Sequence, residues 1–218
     1  FVVRPVDERL ETVPVDVIQG LYPDRQNDFV ISVGEQDVAL IHQMDENATA
    51  KDLEAVAQRI EEALRIDGES CVFVGIGTLA LHLRDLAKSY KEAQIAIEVG
   101  KVFDTERYVI NYENLGIGRL IYQLPTTLCE MFLQEVFKKN PIDALDQETL
   151  FTIYKFFENN LNVSETARKL FVHRNTLVYR LEKIKKLTGL DLREFDHAII
   201  FKVALMVKKY LTANPVKY

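Results

Sequence analysis

The side chains with the clearest chemistry lie between Asn162 and Gly189, where the chain reads NVSETARKLFVHRNTLVYRLEKIKKLTG. Arg174 and Asn175 are residue types that match the major-groove edges of guanine and adenine. His173, Thr176 and Lys183 suit phosphate oxygens, and Tyr179 shares their side of the segment. Such residues read DNA only if a helix presents them outward near its N-terminal turns. Leu177, Leu181 and Ile184, spaced by four and three, form the inner stripe of that helix. At about 100° per residue the stripe places Asn175, Tyr179, Glu182 and Lys186 opposite, Thr176 and Lys183 on one flank, Val178 on the other, and Arg180 nearer the inner edge. Glu182 sits too far along to meet a duplex.

A preceding helix over Val163 to Leu170 starts at Asn162, with Glu165 three residues on completing an N-cap signature. Ala167 is the small residue at the crossing, and Leu170 and Val172 flank the turn, so a helix-turn-helix is expected over 163–187. Phe171 falls where many such turns place Gly. A bulky residue at positive φ is strained, so the turn is expected to differ there.

The elements around this motif follow from periodicity. Phe1 to Asp28 carries Pro5, Pro14 and Pro23 and reads as an irregular arm with a short helix over Val15 to Tyr22. Phe29–Val33 and Val38–His42 form a hairpin around Gly34-Glu35-Gln36-Asp37. Leu53, Val56, Ala57, Ile60, Ala63 and Leu64 mark an amphipathic helix within 49–67. Cys71 to Ile76 reads as a central strand, Leu79 to Val99 as a helix ended by Gly100, and Arg107 to Tyr112 as a strand, giving the order β-β-α-β-α-β. The rest is helical: Thr127 to Lys139, stopped by Asn140-Pro141 as at a domain junction; a helix capped by Asp146 and running through Glu158; the motif itself, closed by Thr188-Gly189; and a last helix from Asp196 to about Leu211.

Charge divides the same way. Residues 1–150 hold 14 Lys+Arg against 27 Asp+Glu, whereas residues 151–218 hold 13 against 6, a net +7 inside a chain of net −6. A basic module joined to an acidic one is the footprint of a polyanion-binding unit with a sensory or assembly partner. With 48% hydrophobic residues, 9 Gly and 6 Pro in 218, the composition excludes collagenous and low-complexity readings. Cys71 and Cys129 stand alone, which excludes a disulfide framework or zinc site and favours a cytoplasmic protein. No apolar run approaches the length of a membrane span. The chain begins at Phe1 instead of Met, as expected of a fragment with an upstream part missing.

The string HRNTLVYRL, continued by TGLDLREFDHAIIFKVAL, resembles the C-terminal helix-turn-helix of the PucR-type and sugar-diacid-regulator (CdaR) family of bacterial transcription factors. Its turn is also similar to the Fis-like motif, in which the stretch corresponding to His173-Arg174-Asn175-Thr176-Leu177 touches DNA. The resemblance implies a first domain similar to the GGDEF nucleotide-cyclase fold. Active cyclases read Gly-Gly-Asp/Glu-Glu-Phe at the hairpin, the glycines admitting a triphosphate and the carboxylates holding Mg²⁺. Here the positions are Val33-Gly34-Glu35-Gln36-Asp37, and only Gly34 and Glu35 fit. The Asp of a preceding strand has no counterpart in an irregular arm, so cyclase activity is not expected.

Other constellations are structural. Gly75-Ile76-Gly77 and Gly116-Ile117-Gly118 read as turn and packing glycines, Lys88-Ser89-Tyr90-Lys91-Glu92 as a solvated helix face, and His42 and His82 as structural histidines. The chain is therefore expected to be α+β: a degenerate GGDEF/cyclase-like α/β sandwich domain at 1–124 for regulation and dimerisation, then an all-helical DNA-binding domain at 125–218. The expected function is that of a sequence-specific transcriptional regulator of a metabolic operon, not an enzyme, with no cofactor or metal. Its expected partners are double-stranded DNA, a second copy of the chain (through the first domain or the last helix, with Ile199, Ile200, Val203, Met206, Val207 and Tyr210), and a small-molecule effector. The alternative is a ligand- or nucleotide-binding module whose helices contact protein.

Overall fold

The computed structural model describes residues 1–6, 10–103, 107–137 and 145–213. They form two compact units, Phe1–Tyr122 and Gln123–Tyr218.

The first unit is built on a five-stranded mixed sheet of order β2-β3-β1-β4-β5. The strands are β1 (Val2–Pro5), β2 (Asp28–Val33), β3 (Asp37–His42), β4 (Val72–Ile76) and β5 (Val109–Asn111). β1 runs antiparallel to both neighbours, Val2 facing Ala39 of β3 and Gly75 of β4, while β4 and β5 are parallel. The start of the chain is thus no arm: it supplies the central strand. Val2 and Val3 are fully buried on opposite faces, and Pro5 is tolerated because it ends the strand.

Helices α1 (Val15–Leu21) and α2 (Ala50–Ala63) cover one face, where Ile18, Leu53, Ala57 and Ile60 meet Val3, Leu40, Val72, Val74 and Ile76. Helix α3 (Leu86–Phe103) covers the other, where Ala93, Ala96 and Ile97 meet Val2, Phe73 and Ile110. This makes the expected α/β sandwich. Gly75 is where α3 comes closest, since a Cβ there would lie 2.1 Å from the Ala93 carbonyl oxygen; this is a packing glycine, as the sequence suggested.

Three boundaries differ from expectation. Leu79 to Asp85 is loop and one 3₁₀ turn, and α3 begins only at Leu86, because Leu81 and Leu83 find nothing to bury them and stand 75% and 87% exposed. Gly100 does not end α3, which continues to Phe103. Gly116, at φ +53°, makes a turn as read, but Ile117–Tyr122 then forms an unforeseen helix, α4.

The second unit holds α5 (Thr126–Val136), α6 (Gln147–Glu158), α7 (Val163–Lys169), α8 (Arg174–Thr188) and α9 (Phe195–Ala213). The expected stop at Asn140-Pro141 lies outside the described residues. Leu177, Leu181 and Ile184 of α8 are all but fully buried with Ile153 and Phe156 of α6, Ala167 of α7 and Phe201 of α9. Each such apolar side chain contributes about 1.5–3 kcal/mol on burial, so the inner stripe fixes which side of α8 faces outward. Among the described residues no helix is long and apolar enough to cross a membrane.

Candidate nucleic-acid interface

Each helix leading to the candidate surface is started by a side-chain cap. Asp146 accepts from the Thr149 amide at 2.7 Å, Asn162 from Glu165 at 3.0 Å, and His173 Nδ1 from Asn175 at 3.3 Å. Glu165 does not reach back to Asn162 as a reciprocal cap would; its carboxylate takes Arg168. A capping Nδ1 uses its lone pair, so the imidazole proton resides on the outward Nε2 and makes it a donor.

The turn between α7 and α8 is closed by Phe171 in the left-handed region, φ 55°, with its side chain 96% exposed. The expectation that a bulky residue would force a different turn is corrected: an open side chain meets no clash, and the cost is confined to the backbone. Ala167 is buried at the helix crossing, and Leu170 and Val172 are half-buried on either side of the turn.

Arg174, Asn175 and Thr176 are all exposed on the first turn of α8, beside the capping His173, and Tyr179 follows one turn later at 73% exposure. Lys183 is separated from them by its partner: its ammonium lies 3.3 Å from the Asp146 carboxylate, both side chains half-exposed. Arg180 turns inward to Glu148 and Thr152, in keeping with its place at the inner edge. Glu182 pairs with Arg193 at 2.5 Å. Arg193 and Lys185 also hold the buried Asp191, keeping that carboxyl far below the usual carboxylate range. Arg174, Lys169 and Lys186 are exposed and form no ion pair among the described residues. Lys169 sits at the turn beside Phe171 and carries no signal in its residue type; only its exposure reveals it.

The hairpin of the first unit carries different chemistry. Glu35 and Gln36 are exposed on its three-residue turn. Asp37 is nearly buried and taken up by Arg4 of β1, with Nε and Nη2 donating to its two oxygens at 2.6 and 2.8 Å, and by Gln94 of α3 at 3.1 Å. Burial pushes the Asp37 carboxyl up, but the hydrogen bonds from Arg4 and Gln94 outweigh it and leave it below its ordinary value. Arg4 also reaches Glu98. Among the described residues no three His, Cys, Asp or Glu side chains gather as a metal would need.

His42 is structural, its Nδ1 2.6 Å from Asp28 and its ring against Tyr22. Residues 88–92 are more than a solvated face: Ser89 donates to the Thr78 carbonyl and the buried Glu92 accepts from Thr78, pinning the chain where it leaves β4. Both cysteines are buried and free.

Residues 1–99 match the GGDEF-like domain, and residues 149–207 match the PucR C-terminal helix-turn-helix domain. The purine catabolism regulatory protein of Bacillus subtilis is 29% identical over 65% of this chain and 27% of its own length. The carbohydrate diacid regulator of Escherichia coli is 32% identical over 62% of this chain and 35% of its own. The proline-responsive transcriptional activator PutR of B. subtilis is 31% identical over 63% and 34%. The chain thus spans about a third of the length of these relatives. It carries a GGDEF-like domain followed by the helix-turn-helix domain of PucR-type regulators, and these three relatives are regulators by name.

Proposed function

We propose that the chain is a sequence-specific DNA-binding transcriptional regulator that acts in the cytoplasm as a homodimer and answers to a small-molecule effector. The observation that carries this reading is the first turn of α8: capped by His173, held outward by a buried Leu177–Leu181–Ile184 stripe, and offering Arg174, Asn175 and Thr176 unencumbered. Arg174 and Asn175 read base edges, while His173, Thr176 and Lys183 take phosphates and Tyr179 contacts the groove wall. One recognition helix offers too few base contacts for useful specificity, so two subunits on a repeated or palindromic site are needed. The half-exposed Ile199 and Ile200 with Val203 and Met206 on α9 support pairing there; Val207 and Tyr210 are spent inside the unit.

The first unit serves regulation and does not turn over GTP. In favour of this, the last hairpin position is an Asp engaged by Arg4, and Glu35 stands alone on the turn. The test is duplex binding by fluorescence anisotropy across a salt series, with genomic fragments from around the gene and a random control. Tight binding to one fragment with a steep salt slope supports the proposal. Equal, weak binding to all, or none at low salt by a protein that sizes as a dimer, refutes it in favour of helices that contact protein. Cyclic product formed from GTP and Mg²⁺, and lost in Glu35→Ala, refutes the non-enzymatic reading.

A further inference from the structure

β2 is one edge of the five-stranded sheet, and β3 is its strand neighbour. Which of its backbone groups are spent follows from β3. Leu40 exchanges both of its backbone hydrogen bonds with Phe1 on the β1 side, so Asp37, Ala39 and Ile41 point theirs toward β2. Their register partners there are Val33, Ile31 and Phe29. The alternate residues Asp28, Val30 and Ser32 therefore turn their N–H and C=O groups out of the sheet. The Asp28 amide donates to the Asp24 carbonyl at 2.7 Å, whereas both groups of Val30 and both of Ser32 have no backbone partner among the described residues.

Such open groups are a template for another strand, and edges are normally blunted by Pro, Lys, a bulge or brevity. The opposite edge, β5, is three residues long and runs straight into a 3₁₀ turn. β2 has six residues in unbroken register, no Pro and no Lys, and its one charge, Asp28, is turned to His42. Helix α3 packs over β4, β5 and β1, which leaves Phe29 and Ile31 on that face 50% and 47% exposed. Val33 shares their face and is half-buried.

We infer that β2 is an interface with a second copy of this chain, the two β2 strands pairing antiparallel about a twofold axis at Ile31. The strand's fit to itself selects this partner and this register. An axis at Ile31 sets Val30 opposite Ser32 of the second copy, so the two residues with both groups open exchange both bonds, twice by symmetry. Asp28, whose amide is already taken, falls outside that exchange. On the exposed face Ile31 meets Ile31 and Phe29 meets Val33, so every apolar side chain in the row opposes another. An axis at Val30 instead calls on the occupied Asp28 amide and sets Val33 against Asn27; an axis at Ser32 sets Phe29 against Glu35, and one at Asp28 opposes two carboxylates. The inference rests on the proposed homodimer and gives it a surface in the first unit.

The test uses the 218-residue chain in sedimentation velocity over a dilution series, with Ser32→Pro and Ile31→Lys as variants. Ser32→Pro removes an outward N–H and no bond to β3; Ile31→Lys opposes two ammonium groups on the axis. Each should keep the melting temperature of the parent and raise the dimer dissociation constant about tenfold or more. Register is read by disulfide trapping, with the native cysteines silent because both are buried. Opposed residues in a non-hydrogen-bonded pair lie about 4.5 Å apart at Cα, within disulfide reach. Ile31→Cys should therefore crosslink two chains under mild oxidation, and Phe29→Cys should not. A dimer that both variants leave intact and Ile31→Cys fails to trap overturns the inference while leaving a homodimer held through α9. A parent that stays monomeric throughout the series also overturns it, leaving the edge to an extended segment of another protein. Base-selective DNA binding is measured separately by anisotropy, so loss of this interface and loss of the DNA reading are told apart.

Discussion

Replacing Asp146 by Asn tests how the second unit would engage a phosphate backbone. Asp146 does two things at once: it caps α6 through the Thr149 amide, and it holds the Lys183 ammonium at 3.3 Å. Asn caps about as well as Asp, so the helix should keep its start, losing only a few tenths of a kcal/mol from the missing charge at the helix N-terminus. Lys183 is freed and a negative charge beside the DNA is removed. One added Lys–phosphate contact releases about 0.9 of a counterion, which at 0.1 M salt corresponds to about eightfold, or about 1.2 kcal/mol, per subunit. Anisotropy over a salt series should then show tighter binding to specific and random duplexes alike, with a slope steeper by about 0.9 per subunit. Lys183→Ala should show the complement, a uniform weakening smaller than eightfold because the lysine begins partly neutralised. If Asp146→Asn melts at the temperature of the parent yet binds with an unchanged slope, Lys183 does not reach phosphate and its assignment is wrong.

Arg174→Ala and Asn175→Ala should each cost about 1–3 kcal/mol on the preferred site and relax base preference, read by competition with single-base variants; equal loss on every sequence would sink the base-reading assignment. Arg4→Ala should destabilise the first unit by about 3–5 kcal/mol in urea unfolding at pH 7, because it leaves the buried Asp37 with Gln94 alone. The native Asp37 carboxyl is depressed, so its stabilisation is present above about pH 4 and is lost as pH falls further; the deficit of Arg4→Ala should shrink at pH 3, and an undiminished deficit would disprove the charge argument. Asp191→Asn should cost the helical unit about 2 kcal/mol at neutral pH by the same reasoning, with the difference from the parent fading only in strong acid. Phe171→Gly relieves a left-handed backbone without losing a buried contact and should raise the melting temperature slightly, by up to about 1 kcal/mol of stability; a lower melting temperature would show that Phe171 packs on something.

The helical unit was legible because its signals are local. Asp146, Asn162 and Ala167 lie within a few residues of what they organise, and the Leu177–Leu181–Ile184 stripe alone sets the outer face of α8. The sheet was harder. β1 is four residues long, ends in Pro5, and owes its strand conformation to Ala39 and Gly75, far off in sequence, so no window around it reveals it. The apolar residues between Leu79 and Leu86 resemble a helix in spacing, yet Leu81 and Leu83 have no face to bury. At the hairpin the sequence shows that Asp37 departs from the cyclase pattern, but its bidentate partner Arg4 lies in the overlooked strand. The Lys183–Asp146 pair spans 37 residues and could not be read from helical geometry alone.

The central place of β1 also has a kinetic consequence. Its two neighbours are synthesised after it, β4 only at residues 72–76, so the sheet must pay the loop-closure entropy of two long segments before either ladder forms. Helices α6, α7 and α8 pack on one another across short loops and carry less of that delay, and topology of this kind separates folding rates by orders of magnitude. In a refolding experiment the reading helix should therefore regain its amide protection well before Val2 and Val3 do, leaving a transient species with a finished recognition surface on an unfinished regulatory sheet.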